Sequence, residues 1–340
     1  MSELAAAFHQ ALGELLPFSE ALERAREHRS LPGRVRAEIA GMGWNGMMTP
    51  EESGGLGLTV GEAIDLCAVA GEHLLAVALL DESLLLAPAL AAAGHPRLAG
   101  VVAGEVAGGG GYVTTGSGEM YDGGVLAVSG VGVRLSPGAR LAALCHPRWT
   151  AVISLEDPGV RLEQADALER GQGVHTLSAA GVRPEVVLDG WADGGTVAAG
   201  WLAGLLADLV GGAERIMSLS VSHARSRRQF GRPLTRFQAV THLLADMKAR
   251  LELMRSAVAR LAFLMDEGSW DPAFLAGLLW SVPAYAREVC ESAIQVHGGI
   301  GFTWEYGLHL YYRRILSVQS MLGGALNTAA QAGRAYMDAG

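Results

Sequence analysis

Apolar residues recur at spacings of three and four over Leu4–Leu16, Glu20–Glu27 and Arg34–Met42, which predicts three amphipathic helices at the start of the chain. A loop follows at Pro50 and Gly54-Gly55-Leu56-Gly57. Thr59 with Glu62 then forms a capping box that opens the next helix. The most apolar stretch, Leu74–Ala93, carries Asp81 and Glu82 near its middle and a proline at Pro88, so it reads as a buried helix rather than a membrane span. From Gly104 to about Gly194 the pattern changes to short β-branched or alternating segments: Val125–Val128, Val131–Leu135, Leu141–Leu144, Thr150–Leu155 and Val186–Leu188. Gly, Pro and Asp punctuate them, and the run of four glycines Gly108–Gly111 stands at their head. This predicts a small antiparallel β unit.

The helical period returns at Thr196 and stays. Leu202, Leu205, Leu209, Ala213, Ile216 and Ser220 share one face of a helix that should stop before Gly231 and Pro233. A second helix begins around Thr235 or Arg236 and places Leu243, Met247, Leu251, Met254, Val258, Leu261 and Met265 on one stripe. Uninterrupted, it would run roughly 45 Å at 1.5 Å per residue. A third spans Pro272–His297 with an expected kink at Pro283. A fourth covers Tyr311–Met337 with Gly323-Gly324 inside it. Long antiparallel helices of this kind make a four-helix bundle. The expected fold class is α+β, mostly α, with a helical domain over residues 1–103, a middle β domain over 104–195 and a C-terminal four-helix bundle over 196–340.

Charge and composition narrow the function. The 340 residues are half hydrophobic with a net charge of -9, which argues against a nucleic-acid binder, since a phosphate backbone rewards clustered Lys and Arg. Arg225–Arg228 and Arg313-Arg314 are local exceptions, suited to one bound phosphate rather than a duplex. Cys67, Cys145 and Cys290 show no metal-ligand spacing and read as three reduced thiols of a cytoplasmic protein, with no metal site. Met1–Ser19 has acidic residues and no basic segment leading into an apolar core, so no signal peptide is expected, and neither is membrane attachment.

Two motifs stand out. In RRQFGRPLTRFQ a helix carrying Arg225, Arg227 and Arg228 ends at Gly231, and Thr235 with Gln238 opens the next. Arg227 can fork onto phosphate oxygens, and exposed amides at a helix start favour anions. The alternative is a solvated basic turn with Phe230 packed beneath it. In Gln295-Val296-His297-Gly298-Gly299 a glycine in the left-handed region caps a helix. His297 reads as a packed or capping residue, not a catalyst. Trp304, Tyr306, Tyr311 and Tyr312 should lock the following helix start into the core.

These two segments resemble the flavin-binding half of an acyl-CoA dehydrogenase, and the order of helical, β and long-helix units matches that family along nearly the whole chain. The resemblance implies that Arg227, Gln229, Phe230, Gln238, Gln295, Gly298 and Gly299 contact FAD belonging to a neighbouring subunit. It also implies a carboxylate that removes the α-proton of a thioester while hydride leaves for the flavin. That base is missing from all three places where branches of the family carry it. They hold Leu322, Gly324 (of Gly323-Gly324) and Trp201. Asp208, seven residues from Trp201 and roughly 10 Å along the helix, is better suited to a helix-terminal or inter-helix polar role. The family's flavin-cradling loop and strand are also replaced, by Glu105–Gly111 and Val133-Arg134-Leu135-Ser136.

The resemblance therefore implies a subunit with no catalytic residue of its own. It would complete the FAD site of a related, base-carrying subunit in a heterotetramer that acts in lipid metabolism on an acyl-CoA or acyl-carrier thioester. The resemblance also leaves open that the isolated chain holds no FAD. Two other expectations stay open. One is a self-sufficient dehydrogenase or oxidase, as a homo-oligomer, with a displaced acid such as Asp208. The other is a flavin-free protein of the same fold with a binding or non-redox role.

Overall fold

The computed structural model describes residues 2–114, 117–121, 124–169 and 172–338. Helices α1 (Glu3–Leu15), α2 (Phe18–Glu27) and α3 (Gly33–Gly41) form where the early periodicity predicts them. The capping box is present: the Thr59 hydroxyl accepts from Glu62 N–H and the Glu62 carboxylate accepts from Thr59 N–H, opening α4 (Val60–Glu72). Asp266 adds to this helix start, accepting from Val60 N–H at 2.7 Å and Gly61 N–H at 2.9 Å. The apolar stretch becomes α5 (Val77–Asp81), a π-helical turn (Glu82–Leu86) and α6 (Ala87–Ala92), all buried except the last residues; α7 (Leu98–Val102) follows.

Eight strands make one sheet: β1 (Gly109–Tyr112), β2 (Gly118–Tyr121), β3 (Val125–Leu135), β4 (Leu141–His146), β5 (Trp149–Ser154), β6 (Val160–Gln164), β7 (Val174–Val182) and β8 (Val186–Asp189). The order is β6-β7-β3-β1-β4-β5-β8, with β2 on β3. The sheet is mixed rather than antiparallel, because β1 pairs in parallel with β4 (Gly111↔Leu144) and antiparallel with β3 (Gly111↔Val133). Three of the four glycines, Gly109–Gly111, thus lie in a central strand. A Cβ at Gly109 would lie 1.9 Å from Arg134 O, and one at Gly108 would lie 2.2 Å from Leu86 Cδ2. Glycine is what lets the π-turn helix lie directly on this strand. Along β4, Leu141, Ala143 and Cys145 face the helices while Ala142 and Leu144 face a smaller second core with Leu126, Val128 and Leu177. Burial on both faces explains its unbroken apolar run.

The C-terminal helices are α8 (Thr196–Ser226), α9 (Gln238–Asp266), α10 (Pro272–His297), α11 (Leu308–Met321) and α12 (Gly324–Asp338). The expected fourth helix is two, divided at Gly323 and Gly324, where φ is 93° and 83°. Pro283 does not interrupt α10. Thr235 does not open α9, since it lies in a 3-10 turn and Phe237 holds the N-cap position without a side-chain bond. Helices α4 and α8 touch backbone to backbone: a Cβ at Gly71 would lie 1.9 Å from Asp208 O, and one at Gly211 1.7 Å from Ala68 O. Helix α8 has the length and composition of a membrane span, yet 83% of its most apolar window is buried inside the protein.

Candidate functional site

At the end of α8 the chain makes a two-residue hairpin between β9 (Arg228–Gln229) and β10 (Arg232–Pro233). Its turn residues Phe230 and Gly231 both have positive φ, 48° and 77°, the signature of a type I′ turn whose twist suits a tight hairpin. Glycine takes such angles freely; phenylalanine does not, so Phe230 holds some backbone strain. Its ring is 93% exposed, which overturns the expectation of a Phe packed beneath the turn. The nearest aromatic is Phe237, 6.2 Å away edge-on, and the Arg232 guanidinium lies 4.2 Å over the Phe237 ring. Arg227, Gln229 and Gln238 are exposed as well; Arg227 donates its N–H to His223 O at 2.8 Å, closing the helix.

The second segment sits at the end of α10. Gly298 caps the helix with φ 65°, and a Cβ on Gly298 or Gly299 would meet open space, so this backbone is accessible to a ligand or another chain. Gln295 is exposed beside it. Under both segments the His223 and His297 rings stack at 4.4 Å, with Tyr306 edge-on at 5.7 and 5.1 Å. His297 Nδ1 bonds Ala293 O at 2.8 Å. Burial lowers the pKa of both histidines, so they form a neutral pair that ties the ends of α8 and α10 together. His297 is thus a packing residue, as its sequence context predicts.

The interior has the opposite character. Trp201 is fully buried and donates Nε1–H to Asp81 Oδ1 at 2.8 Å. The Arg134 guanidinium grips the same carboxylate from β3, Nε to Oδ2 at 2.9 Å and Nη2 to Oδ1 at 2.6 Å, and its remaining nitrogen reaches Met321 Sδ. Burial pushes the Asp81 carboxyl up, against the pull of Arg134 and the Trp201 N–H. Leu322 is buried. Asp208 is likewise closed off. Arg314 Nη1 donates to its two oxygens at 3.0 and 3.2 Å, while Arg314 also holds Glu169 Oε1 at 2.5 Å and Leu75 O at 2.8 Å. This is the inter-helix role expected for Asp208. Tyr311 is buried with its hydroxyl on Glu72 O at 2.7 Å, but Trp304 stays partly exposed against His309 rather than entering the core.

Between the sheet and α11–α12 lies a cleft of about 570 Å³, walled by Tyr112, Thr114, Arg134, Ser317, Met321 and Gly324. Asp166 also lines it and is itself engaged. Of the strand that replaces the family pattern, Arg134 reaches this cleft, beside Val131 and Gly132 of β3 and Tyr112 at the end of β1. Asp81, Arg134 and Asp166 were not singled out from sequence. The only signal was an acid inside an apolar stretch and an arginine inside a β-branched strand. Among the described residues no group of three or more His, Cys, Asp or Glu could hold a metal ion, and the three cysteines are buried and free.

The architecture is a helical unit, a mixed sheet and long C-terminal helices, with an exposed glycine-capped helix end and a cleft against the sheet. Residues 203–332 match the acyl-CoA dehydrogenase C-terminal domain. The chain is 31% identical to the acyl-CoA dehydrogenase FadE27 of Mycobacterium tuberculosis, covering 84% of this chain and 83% of that protein. It is 32% identical to FadE34 of the same organism over 86% of this chain. It spans 40% of the length of FadE34 and 33% of that of the mycobacterial acyl-CoA dehydrogenase IpdE2. The fold is shared with a chain of the ChsE4-ChsE5 complex from Mycobacterium tuberculosis, at a TM-score of 0.81 and 22% identity over 98% of this chain and 97% of that one. The chain belongs to the acyl-CoA dehydrogenase family, relatives of which bind FAD.

Proposed function

We propose that this chain is the subunit of an FAD-dependent acyl-thioester dehydrogenase that completes a related partner's cofactor site and brings no proton-abstracting carboxylate of its own. One contrast carries the reading. The residues at the family's base positions are apolar, glycine or, in Trp201, committed to a buried carboxylate, whereas all seven residues assigned to a neighbour's FAD lie exposed on the surface. Buried acids locked by guanidinium groups cannot approach a thioester α-carbon.

The exposed residues fit an FAD-bearing neighbour. Arg227 would pair with the pyrophosphate, helped by the free amides at the start of α9. Phe230 offers an unpacked aromatic face, and Gln295 an amide. Gly298 and Gly299 allow close backbone approach because nothing stands where a side chain would be. Bound there, FAD would supply the hydride acceptor for α,β-dehydrogenation of an acyl-CoA or acyl-carrier thioester. The ChsE4-ChsE5 complex offers a precedent for two chains of this fold in one assembly.

The 570 Å³ cleft favours a second reading, a self-sufficient enzyme with a displaced acid, for which Asp166 is now a better candidate than Asp208. Purification of the chain alone and with a related base-carrying subunit separates the two. Flavin appearing only in the co-purified complex supports the proposal. Flavin in the isolated chain, reduced by an acyl thioester and silenced by Asp166→Asn, overturns it.

A further inference from the structure

Beneath the hairpin and the helix end, the His223 and His297 rings do more than fill space. Their planes lie within 21° of parallel at 4.4 Å, so the rings meet face to face and their nitrogen edges cannot share a proton. His297 Nδ1 lies 2.8 Å from Ala293 O, which makes it the N–H of a neutral ring. Its Nε2 is then a bare acceptor, buried with no partner. A proton placed there would have nothing to receive it.

Each histidine also holds one of the two exposed segments. On α8, His223 O accepts from Arg227 N–H at 2.8 Å and from the Ser226 hydroxyl at 3.2 Å. Arg227 O in turn accepts from Leu234 N–H at 2.9 Å and closes the hairpin 228–233. On α10, the turn Gly298–Phe302 folds back on His297. A Cβ at Gly301 would stand 3.2 Å from His297 Cβ and 3.1 Å from Ile294 O. Tyr306 lies edge-on to both rings. The stack therefore joins the hairpin to the turn.

Its surroundings favour two neutral rings. Burial lowers the pKa of His223, and His297 and Arg227 add to the effect. Burial lowers His297 too, against the pull of Ala293 O. Among the described residues no carboxylate acts on either ring, whether from α8, α10, the Gly298–Phe302 turn or the segment of Tyr306. Tyr306 is the other titratable group against them.

We propose that the His223–His297 stack is an acid-released clasp: with both rings neutral it holds the hairpin and the turn as one face, and a proton on either ring frees both. Where that face carries a neighbour's FAD, a consequence that rests on the function proposed above, the cofactor is held at neutral pH and released in mild acid. A histidine freed into water titrates near about 6.5 but stays neutral in the stack, so falling pH favours the freed state. Between about pH 7.5 and 5.5 the freed population should grow about tenfold for each histidine released.

Hydrogen exchange of the full chain, followed peptide by peptide and corrected for the intrinsic pH dependence of exchange, reads the clasp directly. From about pH 7.5 to 5.5, opening of the hairpin and of the Gly298–Phe302 turn should rise together by about tenfold or more, while the middle of α9 stays protected. The double variant His223→Phe with His297→Phe keeps two rings without a titratable nitrogen, so this rise should vanish. His223→Phe alone should leave the smaller rise due to His297. An equal rise in the native chain and the variants, a rise in one segment without the other, or no rise at all overturns the clasp. Flavin retention by the complex with a base-carrying subunit separates the clasp from its use. Flavin lost at about pH 5.5 from the native complex and kept by the double variant supports both. A clasp that opens in the isolated chain while the native complex keeps its flavin leaves the clasp standing and removes the cofactor reading.

Discussion

The interior around Trp201 and the surface around Phe230 are opposites built from similar residues. Inside, arginines and acids are paired off: Arg134 with Asp81, Arg314 with Asp208 and Glu169, and Trp201 locked onto the first pair. Outside, Arg227, Gln229, Phe230, Gln238 and Gln295 are left exposed, Phe230 in a strained turn. Charge buried and satisfied holds a fold together and does little else. Charge and aromatic surface left open on a rigid helix end are available to another molecule. The proposed function rests on this difference, placing the cofactor contacts at the surface rather than in the interior.

The largest way to break this comparison is to unpair an interior charge. Arg314→Met leaves Asp208 buried without its partner and should cost about 3–5 kcal/mol in urea unfolding. The double variant Asp208→Leu with Arg314→Met should recover part of that loss, since Glu169 still lacks its partner. Equal losses in the single and double variants would show that the pairing is not what matters. A smaller effect, about 1–3 kcal/mol, is expected for Trp201→Phe, which keeps a ring but removes the N–H donated to Asp81.

Histidine titration gives a pH signature of the interior. Burial lowers His146 to about 4 and, with His9 and Arg215 adding to it, His73 to about 4. Below about pH 6.5 the unfolded chain takes up these protons and the folded chain does not, so stability falls as pH drops from about 6.5 toward 4. Each histidine contributes at most about 1.4 kcal/mol per pH unit, and His146→Asn should flatten the slope measured by unfolding at stepped pH. The exposed face should behave otherwise. Arg227→Ala and Gln295→Ala should move the isolated chain's stability by no more than about 0.5 kcal/mol. Phe230→Gly should leave it equal or slightly more stable, because glycine relieves the positive φ.

Much of this was readable from the chain. The bundle helices follow the three-and-four stripe because their apolar faces are buried continuously. The exposed face announced itself through its Gly and Arg-Gln-Phe-Gly motifs. The glycine run hid a central strand, because a strand that must accept a helix against its backbone has no side chains with which to show alternation. Strand β6 is mostly exposed, and β7 is rich in small residues, so neither carries a strong period. The Asp81–Arg134–Trp201 cluster joins residues 53 and 120 positions apart, a pairing that no local pattern encodes.

The most direct measurement of the central claim is the flavin content of this chain purified alone, and of its complex with a related base-carrying subunit, each with and without Arg227→Ala plus Phe230→Gly. The account predicts little flavin in the isolated chain. The native complex should hold flavin that an acyl thioester reduces, and the doubly substituted complex should assemble but lose most of its flavin. A full complement of reducible flavin in the isolated chain, or retention of flavin by the substituted complex, would contradict it.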